Sequence, residues 1–547
     1  MIKRFLNSQT KSISGAAIVL AISTIISGFL GLIRDRLLAS TFGAGIETSI
    51  YFAAFRIPDL IYNILILGGV LVAFLPLFSE YFTENKDKAW EMTNHVLNAF
   101  LLLLILTCAL LCVFTPWLIK FITPGFAQKD KEVVVSLTRI LFLSPILFGA
   151  ANIFSGVLHY FNRFFAYSLA PLLYNIGIIF GILFLSPKFG IFGVGLGVIL
   201  GAALYLIIQI PSAINCGFRY KFFLNFKHPA IKKIFSLMIP RTFGVMASQI
   251  NIIIITAIAS TITAGSIAIF SFSNNLQGLP VSILGISLAT AIFPAFSKLW
   301  ANGQKKELVE KFSGIFRQTL FLIVPASILI FFLRAQIVRL VLGAGRFDWE
   351  DTKLTAASLG LFSFSIFAST LIPFIARAFF SFKDTKTPAI VTLISVSINA
   401  TLGFLFVWLL GFPNSFSNFL ESLLKVQGMR NVATIGLPLA FSIAAISQFV
   451  FLLFFLYRKV GDFGVSDILK SVRKTLVAGV FMAIFTYLSL QLASLFVDTQ
   501  TFFGLFLQAS AAGFTGTAVY FAISFFLKSP ELKTIKYSFL RQIAGIY

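Results

Sequence analysis

Three charged residues in a row, Arg34-Asp35-Arg36, interrupt the first long apolar stretch of the chain. An ionisable group near a bilayer centre costs about 2.5–3.5 kcal/mol on insertion scales, so such groups face water or a partner rather than lipid. Arginine offers a planar fork of N–H donors that matches phosphate and carboxylate oxygens. Arg34, oriented by Asp35, therefore reads as an anion contact in a wet cavity; the alternative is an ion pair that closes the end of a membrane helix. Residues two apart on a helix are rotated by roughly 200°, which makes Arg36 a separate charge. Further candidates inside apolar stretches are Arg56 and Asp59 flanking Pro58, Arg139, Arg241 after Pro240, and Arg377. Arg56 and Asp59 either pair across the proline break or share the cavity. Arg241 is either an anchor at a helix start or a gate contact, and Arg377 is placed where a long basic side chain can snorkel to headgroups. A set this rich in arginine points to an anionic, phosphorylated ligand. No nucleophile-base-acid set and no ATP-binding loop accompanies it. Cys108, Cys112, Cys216 and the three histidines are too dispersed to hold a metal. The expectation is a binding site without cofactor or covalent chemistry.

The elements that position these residues follow from composition. Over 547 residues the chain is 58% hydrophobic, with a mean hydropathy of +0.94, and this apolarity is spread along the whole length. That describes an all-α polytopic membrane protein and excludes the water-soluble classes. The net charge of +23 would suggest nucleic acid in a soluble chain; in a membrane chain it places Lys and Arg against anionic lipids, and no nucleic-acid partner is expected. About fourteen apolar stretches reach the roughly 20 residues a membrane helix needs: 14–38, 49–80, 91–121, 132–158, 165–186, 190–215, 232–261, 266–299, 312–338, 352–381, 387–411, 431–457, 471–496 and 502–527. Lys and Arg number about 26 in the connections on the side of the N-terminus and about 10 opposite, which places both termini in the cytoplasm. The first stretch runs straight into Arg34 with no small-residue cleavage site, so it reads as a retained helix.

The first twelve stretches carry a duplication. Leu67-Gly68 leads to Pro76-Leu77-Phe78-Ser79, and Leu284-Gly285 leads to Pro294-Ala295-Phe296-Ser297, 218 residues on. At nearly the same interval, His159 to Arg163 and Pro171 answer Arg377 to Lys383 and Pro388. A shared period makes two weak matches informative. Six spans per repeat is an even number, so the halves share one topology. Two six-helix lobes, 1–229 and 230–460, are expected, followed by two additional helices and a basic tail over 461–547. A substrate would sit between the lobes and be exposed alternately to each side.

In order and spacing these residues resemble the MurJ/MviN family of bacterial lipid II flippases. The resemblance rests on Leu30-Gly31-Leu32-Ile33-Arg34-Asp35 with Phe42-Gly43-Ala44-Gly45, on Phe55-Arg56-Ile57-Pro58-Asp59-Leu60, and on Pro76 to Ser79. It extends through Leu237-Met238-Ile239-Pro240-Arg241-Thr242-Phe243-Gly244, Leu279-Pro280 to Pro294, Ala376-Arg377, and Asp384 to Pro388. It implies the two-lobed fold of the multidrug, oligosaccharide-lipid and polysaccharide exporter superfamily. The implied activity is movement of an undecaprenyl-diphosphate-linked peptidoglycan precursor from the cytoplasmic to the outer leaflet of the cytoplasmic membrane. Arg34 and Asp35 fall on the family's central-cavity pair, and the last two helices would hold the polyprenyl tail. Other proteins of cell-wall synthesis are candidate partners on the same ground.

The chain departs from the family pattern at several charged positions. Gly28 and Tyr62 stand where many members have arginine, Ser49 where they have an acid, and Asn274-Asn275 where they have an Asp-Arg pair. Either Arg36, Arg56 or Arg241 takes over charge neutralisation, with Tyr62 and Asn275 giving neutral hydrogen bonds, or the headgroup differs. Another polyprenyl-linked glycan or an amphipathic drug is the alternative cargo. Outward movement of negative charge would let the membrane potential assist transport, and Asp35 and Asp59 either form structural ion pairs with their neighbouring arginines or hold a monovalent coupling ion.

Overall fold

The computed structural model describes residues 13–532, apart from the side chains of 13–18, 21, 67–72, 237, 239–241 and 243–244. Every one of the fourteen expected apolar stretches is occupied by helix. Among the described residues eleven helices are long and apolar enough to cross a membrane, or twelve if the pair Trp349–Ser363 and Ile366–Ser381, bent by 47°, counts as one span. The chain is thus an all-α, multi-pass membrane protein; the number satisfying the length test is lower than the fourteen expected. One described helix, Ser415–Leu424, was not foreshadowed by hydropathy. It starts where the Asn414 side chain accepts from the Ser417 amide and ends at left-handed Lys425.

Proline and glycine set the breaks. Pro58 lacks an N–H and its ring clashes with the carbonyl four residues earlier, and Phe55 duly separates Ile46–Ala54 from Arg56–Ile61. A π-helical segment, Tyr62–Val70, follows and leads into Leu71–Glu84 with Pro76 inside. Such wide turns are rare and frequent at functional sites. Two more follow, Gly181–Leu185 and Val281–Ile286, the latter preceding Pro294. Displaced by the 218-residue period, 62–70 falls on 280–288.

Packing divides the described chain into two compact units. The first ends at Ala268 and takes in Ala344–Phe347; the second holds Ile269–Gly343 and the residues from Asp348 onward. This boundary differs from the 229/230 expected from the repeat, because the helix Pro229–Ser260 packs with the first unit. Arg56 Nε donates to Thr256 Oγ1 at 2.8 Å, Lys233 pairs with Glu80 at 2.8 Å, and the Gly125 amide donates to Ser260 Oγ at 3.2 Å. Nor do the last two helices form a separate body, since they belong to the second unit. The Tyr520 hydroxyl donates to the Phe321 carbonyl at 2.8 Å, and a Cβ on Gly516 would lie 2.0 Å from Thr486 Oγ1.

Within the first unit, Phe164–Phe180 lies against Ile191–Ile207 along a glycine seam. A Cβ on Gly177 would fall 2.3 Å from the Gly201 Cα, and one on Gly197 would fall 2.6 Å from the Gly181 Cα. Small residues of this kind let membrane helices approach closely where no hydrophobic force drives them together. The core of the second unit is aromatic: Phe296, Phe312, Phe316, Phe374 and Phe379 are fully buried, with Phe312 stacked on Phe374 at 5.0 Å.

Candidate functional site: an arginine-tyrosine cavity in the first unit

A cavity of about 380 Å³ opens inside the first unit, its walls including Arg34, Asp59, Tyr62, Tyr174, Asn175 and Tyr205 together with Ser27, Phe55 and Phe148. The helix Ile13–Phe42 brings Ser27 and Arg34, the Pro58 break brings Asp59 and Tyr62, and the two helices of the glycine seam bring Tyr174, Asn175 and Tyr205. The close seam fixes the spacing of those last three residues.

Arg34 is held on two sides. Its Nε and Nη2 donate to Asp35 Oδ1 at 3.0 and 2.8 Å, and its Nη1 donates to Asn175 Oδ1 at 3.3 Å. Asn175 is itself anchored, its Nδ2 lying 3.2 Å from Ser27 Oγ and 3.3 Å from the Ser27 carbonyl. The guanidinium keeps 23% side-chain exposure while its carboxylate partner keeps 7%. A guanidinium has five N–H groups, so this clamp orients the fork without exhausting its donors. Phe148 forms the hub of the aromatic wall, with ring centroids 5.1 Å from Tyr62, 5.2 Å from Tyr174 and 5.2 Å from Tyr205. Three phenols and a half-open arginine can hydrogen-bond a bulky, oxygen-rich anion.

Of the candidates named from sequence, Arg34, Asp59 and Tyr62 line this cavity, and Asp35 stands behind Arg34. Arg36 is half-buried and is not among the lining residues. Arg56 reaches Thr256 instead. The Arg139 Nε donates to the Cys112 carbonyl. Arg241 lies on the Pro229–Ser260 helix, its side chain outside the described residues. Asn275 and Arg377 belong to the second unit; Arg377 sits over the rings of Phe293 and Phe380, at 5.3 and 5.9 Å. Tyr174, Asn175 and Tyr205 were missed. Each is uncharged and sits in an apolar helix, and an asparagine in mid-span was the one signal available.

The second unit contains a different cavity, about 660 Å³, whose lining carries no charged residue. Phe316, Phe331, Phe449, Leu453 and Val472 are among its walls. Its lining draws on Lys305–Val341, on the bent pair Trp349–Ser363 and Ile366–Ser381, on Gly436–Val460 and on Val465–Ala493, and the last helix, Phe502–Phe526, contributes none of it.

The sequence profile of the family described as lipid II flippase MurJ matches residues 38–507. The chain belongs to this family. A curated MurJ relative, the probable lipid II flippase MurJ of Buchnera aphidicola subsp. Acyrthosiphon pisum, is 29% identical over 387 residues, covering 70% of this chain and 76% of its own length. A solved structure titled lipid II flippase MurJ, inward closed conformation, superposes with a TM-score of 0.73 at 26% identity and covers 93% of this chain and 99% of that one. A multidrug resistance MATE transporter of the MOP superfamily shares the fold, with a TM-score of 0.60 at 14% identity over 81% of this chain and 98% of its own. MurJ membership and the many apolar helices make this a multi-pass protein of the bacterial inner membrane.

Proposed function

We propose that the chain, whose MurJ relatives are named lipid II flippases, moves lipid II from the cytoplasmic to the outer leaflet by alternating access. The single observation that carries this reading is the Arg34 fork, held by Asp35 and Asn175 and turned into a polar cavity in an otherwise apolar helix bundle. A diphosphate headgroup cannot enter hydrocarbon without losing its hydration. Arg34 replaces part of that hydration with charge-assisted hydrogen bonds, and Tyr62, Tyr174 and Tyr205 offer hydroxyls to the sugar and phosphate oxygens. The uncharged cavity of the second unit suits the polyprenyl tail, which needs only apolar surface. No covalent step and no cofactor enters this scheme. With both termini in the cytoplasm and a negative interior, each uncompensated negative charge carried outward gains about 2.3 kcal/mol per 100 mV.

A second reading is favoured by one observation: the cavity wall has one arginine and three phenols where the family pattern carries more cations. That composition suits a different polyprenyl-linked glycan with fewer charges on its sugars. Purified protein reconstituted in vesicles with labelled lipid II, and in parallel with an undecaprenyl-diphosphate glycan lacking the peptide, separates the two. Translocation of lipid II supports the main reading, and translocation of the peptide-free glycan alone replaces it with the second.

A further inference from the structure

The connection between Ile191–Asn215 and Pro229–Ser260 is pinned in place, yet beyond Phe218 it turns several large apolar side chains outward. Two asparagines one helical turn apart, both buried, hold its backbone. Asn94 accepts from the Lys221 amide at 2.9 Å and donates to the Arg219 carbonyl at 3.0 Å. Asn98 donates to the carbonyls of Lys221 and Phe223 at 3.2 and 3.0 Å and accepts from the Tyr220 hydroxyl at 3.0 Å. His95, between them, stacks on His228 at 4.9 Å and packs against Phe223 at 5.5 Å. The segment is therefore held by hydrogen bonds from the Lys86–Ile122 helix and, at its start, by Phe218 buried against Trp90 and Phe154. Three of its aromatic rings stay in the open: Tyr220 is 60% exposed, Phe222 74% and Phe226 57%. Arg219, Lys221 and Lys227 are exposed beside them, and residues 217–233 contain no acidic side chain.

Depth explains the combination. The helix Lys86–Ile122 that carries the clamp is uninterruptedly free of charge from Val96 to Ile119, and roughly 20 residues of that run span the hydrocarbon at 1.5 Å each. Asn94 and Asn98 sit at its near end, so the clamp holds the segment at headgroup level. Aromatic rings partition into that zone and basic side chains are drawn to anionic lipid there. We infer that residues 219–227 form an interfacial anchor that docks on anionic phospholipid, with Tyr220, Phe222 and Phe226 immersed among the headgroups and Arg219, Lys221 and Lys227 paired with lipid phosphates.

A nitroxide at Phe222→Cys tests this in the full chain, with Cys108, Cys112 and Cys216 replaced by alanine. The protein is placed in nanodiscs of phosphatidylcholine with or without phosphatidylglycerol, and collision with oxygen is compared with collision with a water-soluble nickel chelate. The expected result is an oxygen-accessible, nickel-protected label in phosphatidylglycerol discs. Removing the anionic lipid should lower the ratio of immersed to free label about a hundredfold, since all three basic side chains lose their attraction to the surface together. The triple variant Arg219→Glu, Lys221→Glu, Lys227→Glu should do the same in phosphatidylglycerol, while the lipid series on the unmodified charges keeps the test sound if that variant folds poorly. A nickel-accessible label in both lipids, or equal immersion with and without phosphatidylglycerol, overturns the anchor. So does a label immobilised only on adding a soluble protein fraction, which would make the surface a protein site. No substrate is present, so failure here leaves the transport reading untouched.

Discussion

The Arg34 guanidinium is hydrogen-bonded to the Asn175 side chain across 141 positions of sequence. Asn175 closes a short chain of contacts from Ser27 through its own amide to Arg34. A charge that must receive a large anion repeatedly benefits from this arrangement, because the fork is already aimed before the ligand arrives.

Replacing Asn175 by alanine should leave Arg34 paired with Asp35 but free to swing. A side-chain hydrogen-bond network of this kind contributes about 1–2 kcal/mol, so translocation should fall about tenfold with little loss of folded protein. The check is initial rates in vesicles beside thermal melting of the same preparation. Unchanged rates would remove Asn175 from the site.

Gly177 has no room for a side chain, since its neighbour across the seam is the Gly201 backbone. Gly177→Val should force the two helices apart and destabilise the protein by about 3 kcal/mol or more, as overpacking at immovable backbone does. The neighbouring Gly190, whose Cβ would meet nothing within 4 Å, has a φ of +57° and serves a turn instead. Fluorescence-detected melting in detergent measures the difference between Gly177→Val and the milder Gly177→Ala.

The uncharged cavity of the second unit can be filled without touching the first. Val472→Trp adds bulk at its wall and should raise the KM for a full-length polyprenyl substrate about tenfold while leaving a short-chain analogue unaffected. Equal effects on both substrates would dissociate this cavity from the tail.

Asp384 supplies a pH signature outside the membrane spans. Burial pushes its carboxyl up, but hydrogen bonds from Lys459 and from the Thr387 amide and hydroxyl outweigh this and hold it below the usual carboxylate range. A depressed carboxyl contributes stability that is present above its unfolded value, about 4, and is lost as pH falls through the folded one. The deficit in melting temperature of Asp384→Asn should therefore be full at pH 7 and shrink below about pH 4. A deficit independent of pH would assign it to packing.

The sequence shows some of this plainly and hides the rest. Long apolar runs announce membrane helices because nothing else satisfies the backbone in lipid, and Arg34 stands out because a charge in such a run needs a reason. Pro58 announces the break that turns Asp59 and Tyr62 toward the cavity. Tyr174 and Tyr205 do not stand out, since a phenol in an apolar helix looks like core until its neighbours are known. The membership of Pro229–Ser260 in the first unit was hidden for a related reason: it depends on Arg56 meeting Thr256 and Lys233 meeting Glu80, contacts that no local pattern encodes. Arg56, which is not among the residues lining the cavity, gives its Nε to Thr256 at that junction.

The most direct measurement compares lipid II translocation by wild type, Arg34→Lys and Arg34→Ala, reconstituted at matched density in vesicles with an imposed potential. Near-complete loss is expected for Arg34→Ala and partial activity for Arg34→Lys, because lysine restores the charge but not the planar fork. Wild-type rates from Arg34→Ala would contradict the role given to Arg34.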